Sequence, residues 1–90
     1  MITADCGIVN HKEIHGLRQA NIDVIVTDHH EPRETSLPEA SCIINPKVKH
    51  SGYPFRELAG VGVAYKFAQA ISGSLLVDDL DLVTLGTIAD

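Results

Sequence analysis

The fold of this chain is decided by the stretch Val24-Ile25-Val26-Thr27-Asp28-His29-His30. Its first four residues form a short apolar run typical of a buried strand, and the turn signal Glu31-Pro32 follows the triplet. Asp28, His29 and His30 therefore crowd the carboxyl end of a strand, the edge at which open α/β sheets bind ligands. Because unpaired buried polar groups are costly, the triplet predicts a metal or phosphate site. Ordinary exposed loop histidines are the alternative.

The pattern on either side of this run predicts two more strands and three helices. The strands are expected at residues 2–4, 24–27 and 42–44, and the helices at about 10–20, at 55–71, and from 75 or 78 towards 88. Asn10 and Glu13 have the spacing of a capping box, and Ile14 and Leu17 supply the core face of the first helix. Strand, helix and strand at this spacing form a βαβ unit with parallel strands. The predicted fold class is α/β, a Rossmann-like unit whose short, mostly parallel sheet is flanked by helices.

A second polar side chain is expected to meet the triplet. Asp5 ends the first strand as Asp28 and His29 end the second. Parallel strands lie about 5 Å apart, so these groups emerge at one edge of the sheet. Carboxylate and imidazole together suit manganese, iron or zinc better than calcium, and a carboxylate-rich site favours manganese or magnesium. Asp5 as a simple turn residue is the alternative.

Composition limits the class of protein. Ninety residues suffice for one small domain with a marginal core. The net charge of −5 argues against a nucleic-acid surface lying wholly within the chain, although carboxylates that hold metals also count as acidic. Cys6 and Cys42 are too few and too widely spaced for a disulfide scaffold, and no secretory signal or membrane-spanning run is visible. A cytoplasmic setting is expected, with Cys6 a small buried residue.

Three stretches resemble the motifs of a known family, the DHH phosphoesterase superfamily. Residues Thr3-Ala4-Asp5-Cys6-Gly7-Ile8 resemble its second motif, residues 24–32 its third, and residues 81–90 its fourth. Residues 43–46 and 53–64 are similar to the RecJ branch of the superfamily, and the resemblance covers essentially the whole chain.

The resemblance implies a role for each site residue. Asp5 would be a metal ligand that bridges two divalent cations, and His29 and Asp90 would be further ligands. His30 would face the scissile phosphate, and Asp28 would orient a neighbouring group. The implied activity is two-metal hydrolysis of phosphodiester bonds by a 5′ to 3′ exonuclease of single-stranded DNA, with Mn²⁺ or Mg²⁺, in DNA repair and recombination.

The resemblance also shows departures. The family's first motif, an Asp-x-Asp strand, and its carboxyl-terminal substrate-binding domain have no counterpart within residues 1–90. We therefore expect a partial DHH domain that is inactive in isolation and that self-associates through an exposed sheet edge. An oligoribonuclease, a cyclic-dinucleotide phosphodiesterase or a pyrophosphatase of the same superfamily is an alternative, as is a non-catalytic binding module.

Other polar groups and glycines have simpler interpretations. His11 and His15 lie one helical turn apart and are expected on an exposed helix face, with metal binding as the alternative. The acidic residues of the last helix favour its start through the macrodipole; they are Asp78, Asp79 and Asp81. Gly60-Val61-Gly62 indicates close packing or approach of a nucleic-acid backbone. Asp90 as an unstructured last residue is the alternative to its role as a ligand.

Overall fold

The computed structural model of the protein describes residues 1–34 and 36–90, in which helices alternate with two short strands. Residue 35, which falls in the predicted loop 31–40, lies outside the described residues. The elements in chain order are α1 (His11–Gln19), β1 (Ile25–Thr27), β2 (Cys42–Ile44), α2 (Gly60–Ser72), a 3-10 helix (Val77–Asp79) and α3 (Leu80–Ala89).

The sheet is parallel, as predicted, and β1 is its centre. β1 pairs with β2 in the register Ile25 to Cys42 through Thr27 to Ile44. On its other side β1 meets the amino-terminal segment, where Ile2 forms an isolated parallel bridge to Ile25 and the Thr3 amide donates to the Ile25 carbonyl at 2.9 Å. The α/β fold class is therefore confirmed.

The first predicted strand is shorter than expected. Residues 2–4 form a single bridge instead of a full strand. Asp5 follows with a φ of 62°, in the left-handed region that extended chains avoid. The regular ladder is interrupted before that turn, because the Thr27 amide donates to Thr3 Oγ1 at 3.3 Å while the Thr3 carbonyl accepts from Thr27 Oγ1 at 2.6 Å.

The core lies between α1 and the face of the sheet that carries Val24 and Val26. Ile14 packs against these two valines, and the half-buried Leu17 and Ile43 close the cluster. Val24 and Val26 are one strand period apart, whereas Ile14 and Leu17 are one helical turn apart, so each element buries one face. The predicted core face of the first helix is therefore confirmed.

The predicted capping box at the start of α1 is wrong. Asn10 is the N-cap, but neither its side chain nor that of Glu13 caps the helix. Asn10 has φ −87° and ψ 54°, away from the extended conformation from which a cap side chain reaches the first-turn amides. Its own amide instead closes a turn onto the Gly7 carbonyl at 3.0 Å.

In the second half of the chain, α2 packs beside β1 and α3 packs on α2. α2 begins at Gly60, five residues later than predicted, because the extended backbone at Ala59 (ψ 160°) excludes a helical turn there. α3 packs on α2 where Gly86 faces Val61; a Cβ at Gly86 would lie 2.6 Å from Val61 Cγ1. This close approach fixes where α3 ends, and therefore where Asp90 lies.

Two further predictions concern membrane-spanning helices and the two cysteines. None of the helices within residues 1–34 and 36–90 is long and apolar enough to cross a membrane. Cys6 and Cys42 are free thiols, but Cys6 is exposed and not buried as predicted, because it lies in the turn beyond the end of the pairing with β1.

Candidate metal centre

The carboxyl edge of the sheet brings the predicted polar residues together. The Asp5 amide donates to the Thr27 carbonyl at 3.0 Å, and the Asp28 amide donates to the Ile44 carbonyl at 3.1 Å. These two bonds place Asp5 and Asp28 at the ends of neighbouring parallel segments. One ligand atom each from Asp5, His29 and His30 lies within 4.8 Å of the others.

His29 is at the centre of this cluster. Its Nε2 atom lies 3.0 Å from Asp5 Oδ1 and 3.1 Å from Asp90 Oδ2, and the side chain is 14% exposed. Neither contact has the angle of a hydrogen bond, so among the described residues this buried nitrogen has no hydrogen-bond partner. A buried polar atom that faces two carboxylates without bonding to either is costly unless a cation satisfies all three.

The spacing of these atoms matches a small divalent cation. Two ligands at right angles around an octahedral cation, each about 2.1 Å from it, lie about 3.0 Å apart. The separations from His29 Nε2 to the carboxylate oxygens of Asp5 and Asp90 agree with this value. Two carboxylates and one imidazole suit manganese or magnesium chemistry. The residues present therefore fit a divalent metal.

Asp28 is hydrogen-bonded to both histidines of the cluster. It is 1% exposed, and its Oδ2 accepts a hydrogen bond from the Ile8 amide at 2.9 Å. Its Oδ1 accepts one from the His29 amide at 2.8 Å and lies 2.7 Å from His30 Nδ1. Burial alone would raise the pKa of Asp28, but these hydrogen bonds outweigh it and hold the pKa below its ordinary value. Asp28 is therefore a buried carboxylate that orients both histidines.

His30 differs from His29 in exposure and partner. Its side chain is more than half exposed, and its Nδ1 is held by Asp28. The hydrogen bond that His30 donates to Asp28 raises the pKa of His30, with smaller contributions from the negative charges of Asp28, Asp5 and Asp90. With Nδ1 occupied, the free Nε2 and a positive charge are available for an anion beside the cluster.

Asp90 reaches the site from the far end of the chain. Its amide donates to the Gly86 carbonyl at 3.1 Å, which continues the hydrogen bonding of α3. A cavity of about 230 Å³ lies beside the cluster and is lined by His29, Lys47, Glu57, Ala59, Thr87 and Asp90. The structure therefore places the last residue against His29.

Two residues, Gly60 and Asn45, shape the site in ways that the sequence analysis did not foresee. A Cβ at Gly60 would lie 2.8 Å from Asp5 Cγ, so only glycine leaves room for this carboxylate at the start of α2. Asn45 is buried, and its side chain donates to the His30 carbonyl at 3.0 Å and accepts from the Lys47 amide at 2.8 Å. The polar Asn-Pro pair at the end of a strand was the one available signal for Asn45.

The remaining polar groups lie away from the cluster. His15 is exposed, and its Nδ1 lies 3.1 Å from Glu39 Oε2, while His11 is half-buried with an unpartnered Nε2. Within residues 1–34 and 36–90, His11, His15 and Glu39 do not gather into a group with metal-ligand spacing. Asp81 lies in the first turn of α3, as predicted.

Comparison with known proteins gives one family and several relatives. The family profile described as DHH family, N-terminal domain, matches residues 1–87. The chain is 49% identical over 90 residues to the single-stranded-DNA-specific exonuclease RecJ of Bacillus subtilis, covering 100% of this chain and 11% of that protein. It is 41% identical over 105 aligned positions to the enzyme of the same name from Escherichia coli, covering 100% and 18%. The corresponding Thermus thermophilus protein is 36% identical over 94 positions, covering 99% and 13%. The chain thus spans less than a fifth of the length of these curated relatives.

Proposed function

The chain belongs to the DHH family, and we propose that it carries metal-binding residues of a RecJ-like exonuclease, which hydrolyses single-stranded DNA in the 5′ to 3′ direction. The observation that carries this proposal is the buried Nε2 of His29, which faces two carboxylates without a hydrogen bond. The substrate class is supported by relatives described as single-stranded-DNA-specific exonucleases. Because the chain spans less than a fifth of those relatives, the activity is proposed for the full-length protein.

Asp5, His29 and Asp90 would hold a divalent cation, Mn²⁺ or Mg²⁺, and Asp5 would bridge to a second. When bound, such a pair of cations activates a water nucleophile and neutralises the charge of the phosphoryl oxygens. The protein's part is to fix the ligands before the metal arrives. His29 is fixed by the bond from its amide to Asp28, and Asp5 by the bond from its amide to β1.

His30 would act on the phosphate and not on the metal, and Asp28 would orient His30. Asp28 holds His30 Nδ1 at 2.7 Å, which orients the ring and favours its cationic form. A protonated imidazole with one free N–H can donate to a phosphoryl oxygen and stabilise negative charge that develops there. Asp28 itself is too buried to touch a substrate, so it is a positioning residue.

The 90 residues alone are proposed to bind metal weakly and to hydrolyse little DNA, because the second cation needs ligands beyond the three assembled here. Robust manganese-dependent release of nucleotides by the purified 90-residue chain would contradict this. Within the described residues β2 has one strand neighbour, so self-association through its other edge stays a prediction. A monodisperse monomer in light scattering at high concentration would count against it.

The test of function uses the full-length protein and single-stranded DNA labelled at either end. We expect manganese-dependent release of nucleotides from the 5′ end. Asp5→Asn, His29→Gln and Asp90→Asn should each reduce the rate by more than the roughly 10–100-fold that loss of a supporting residue costs. Glu13→Gln, on the exposed surface of α1, is the matched control and should leave the rate unchanged.

A substrate panel separates the proposal from its relatives within the family. Short oligonucleotides, a cyclic dinucleotide and pyrophosphate are compared with single-stranded DNA under the same conditions. Preference for any of the three small substrates would refute the exonuclease assignment while leaving the metal site intact. Wild-type rates in Asp90→Asn would refute the ligand set.

A further inference from the structure

A basic groove adjoins the metal centre and is not accounted for by the ligand set. A cavity of about 460 Å³ is lined by three cationic side chains, Arg33, Lys47 and Lys49, by the carboxylate of Glu34, and by apolar side chains that include Leu37 and Val48. The chain has seven lysines and arginines against twelve acidic residues. Three of those seven cations therefore share one groove with a single lining carboxylate, so the lining residues carry a net positive charge in an otherwise acidic protein.

Lys47 joins this groove to the metal centre. The same lysine lines the smaller cavity that contains His29 and Asp90. A chain of phosphates lying along the groove would therefore reach the cluster at Lys47, in a cavity that Glu57 and Asp90 also line.

The side chain of Lys47 is 16% exposed, and its ammonium group lies between two glutamates. Its Nζ lies 3.8 Å from both Glu31 Oε1 and Glu57 Oε2. Charge-assisted hydrogen bonds of this kind are about 2.7–2.9 Å long, so neither carboxylate holds the ammonium directly. Both glutamates are largely exposed, and such ion pairs contribute little to stability.

The backbone of Lys47, by contrast, is fixed to the metal-binding loop. Its amide donates to Asn45 Oδ1 at 2.8 Å, and the Asn45 side chain donates to the His30 carbonyl at 3.0 Å. Its carbonyl accepts from Arg56 Nη2 at 3.3 Å. A lysine with a fixed backbone, whose ammonium group is held only by two long ion pairs, suits a phosphate that must lie at a set distance from the metal.

We propose that Arg33, Lys47 and Lys49 form a track that binds the phosphodiester backbone of a nucleic-acid strand and leads it to the metal centre. That the track leads the strand to the metal centre rests on the proposed function, but binding of the strand can be measured without hydrolysis. Lys47 is the member of the track nearest the reacting phosphate. The contacts are to phosphates, so the track should bind strands of any sequence equally.

The test measures binding of the full-length protein to a fluorescent single-stranded oligonucleotide by anisotropy, in EDTA, over a series of salt concentrations. For each of Arg33→Gln, Lys47→Gln and Lys49→Gln, the slope of log affinity against log salt should become shallower by about 0.7. The arginine variants of Lys47 and Lys49 should restore the slope, which a structural role would not require. Lys66→Gln, on the exposed side of α2, is the matched control and should not change it.

The outcomes separate this inference from the proposed function. Unchanged slopes in the three glutamine variants would overturn the track even if the wild-type protein degrades DNA. Shallower slopes in a protein that releases no nucleotide with manganese would support the track and refute the exonuclease. A wild-type protein that does not bind the oligonucleotide would overturn the track directly.

Discussion

Replacement of Gly60 by alanine should weaken metal binding without lowering the stability of the protein in parallel. The added Cβ would lie 2.8 Å from Asp5 Cγ and would overlap Asp5 Oδ1, whereas ordinary contacts begin near 3.4 Å. Asp5 must therefore retreat from α2 by roughly half an ångström or more, away from its position 3.0 Å from His29 Nε2. A misplacement of about 1 Å can cost about 100-fold in rate, so we expect a loss of about 10- to 100-fold.

Stability should not fall in parallel. Alanine is favoured over glycine by up to about 1 kcal/mol within a helix, and this gain offsets the strain of moving one exposed side chain. The assay is manganese affinity by calorimetry and manganese-dependent hydrolysis of single-stranded DNA by the full-length protein, with thermal unfolding recorded on the same samples. Gly16→Ala is the control, because a Cβ there meets nothing within 4 Å. Wild-type metal affinity and rate in Gly60→Ala would refute the argument from close approach.

Three further changes test the packing around the site. Asp28→Asn should destabilise the full-length protein by about 1–3 kcal/mol in chemical denaturation, because the buried Ile8 amide and the more exposed His30 ring lose their carboxylate acceptor. The same change should lower the pKa of His30, measured by NMR titration of its ring; an unchanged pKa would contradict the assigned cause. Gly86→Ala should cost about 1–3 kcal/mol through overlap with Val61, and Val61→Ala in the same chain should recover part of it; no recovery would place the strain elsewhere. Ile14→Ala should cost about 2–5 kcal/mol in thermal unfolding, and a loss below 1 kcal/mol would contradict its place in the core.

The parts of the fold that were predicted correctly depend on local pattern. The apolar run before Asp28 predicted a strand, and the spacing of Ile14 and Leu17 predicted the buried face of α1. Errors occurred where local hydrogen bonding and backbone conformation decide the outcome. Side-chain hydrogen bonds between Thr3 and Thr27 interrupted the first strand, and the conformation of Asn10 excluded the capping box. Neither feature can be read from residue type alone.

The sequence by itself determined that Asp5 and the Asp28-His29-His30 triplet share one edge of a parallel sheet, because strand order and chain direction follow from local periodicity. Only the tertiary structure decided that Asp90 lies 3.1 Å from His29, and that Gly60 leaves room for Asp5. It also placed Lys47 between the metal centre and the basic groove. These relations depend on how α2 packs against β1 and how α3 packs against α2. Such packing is set by van der Waals contacts between residues distant in the chain, and a spacing rule carries no information about them.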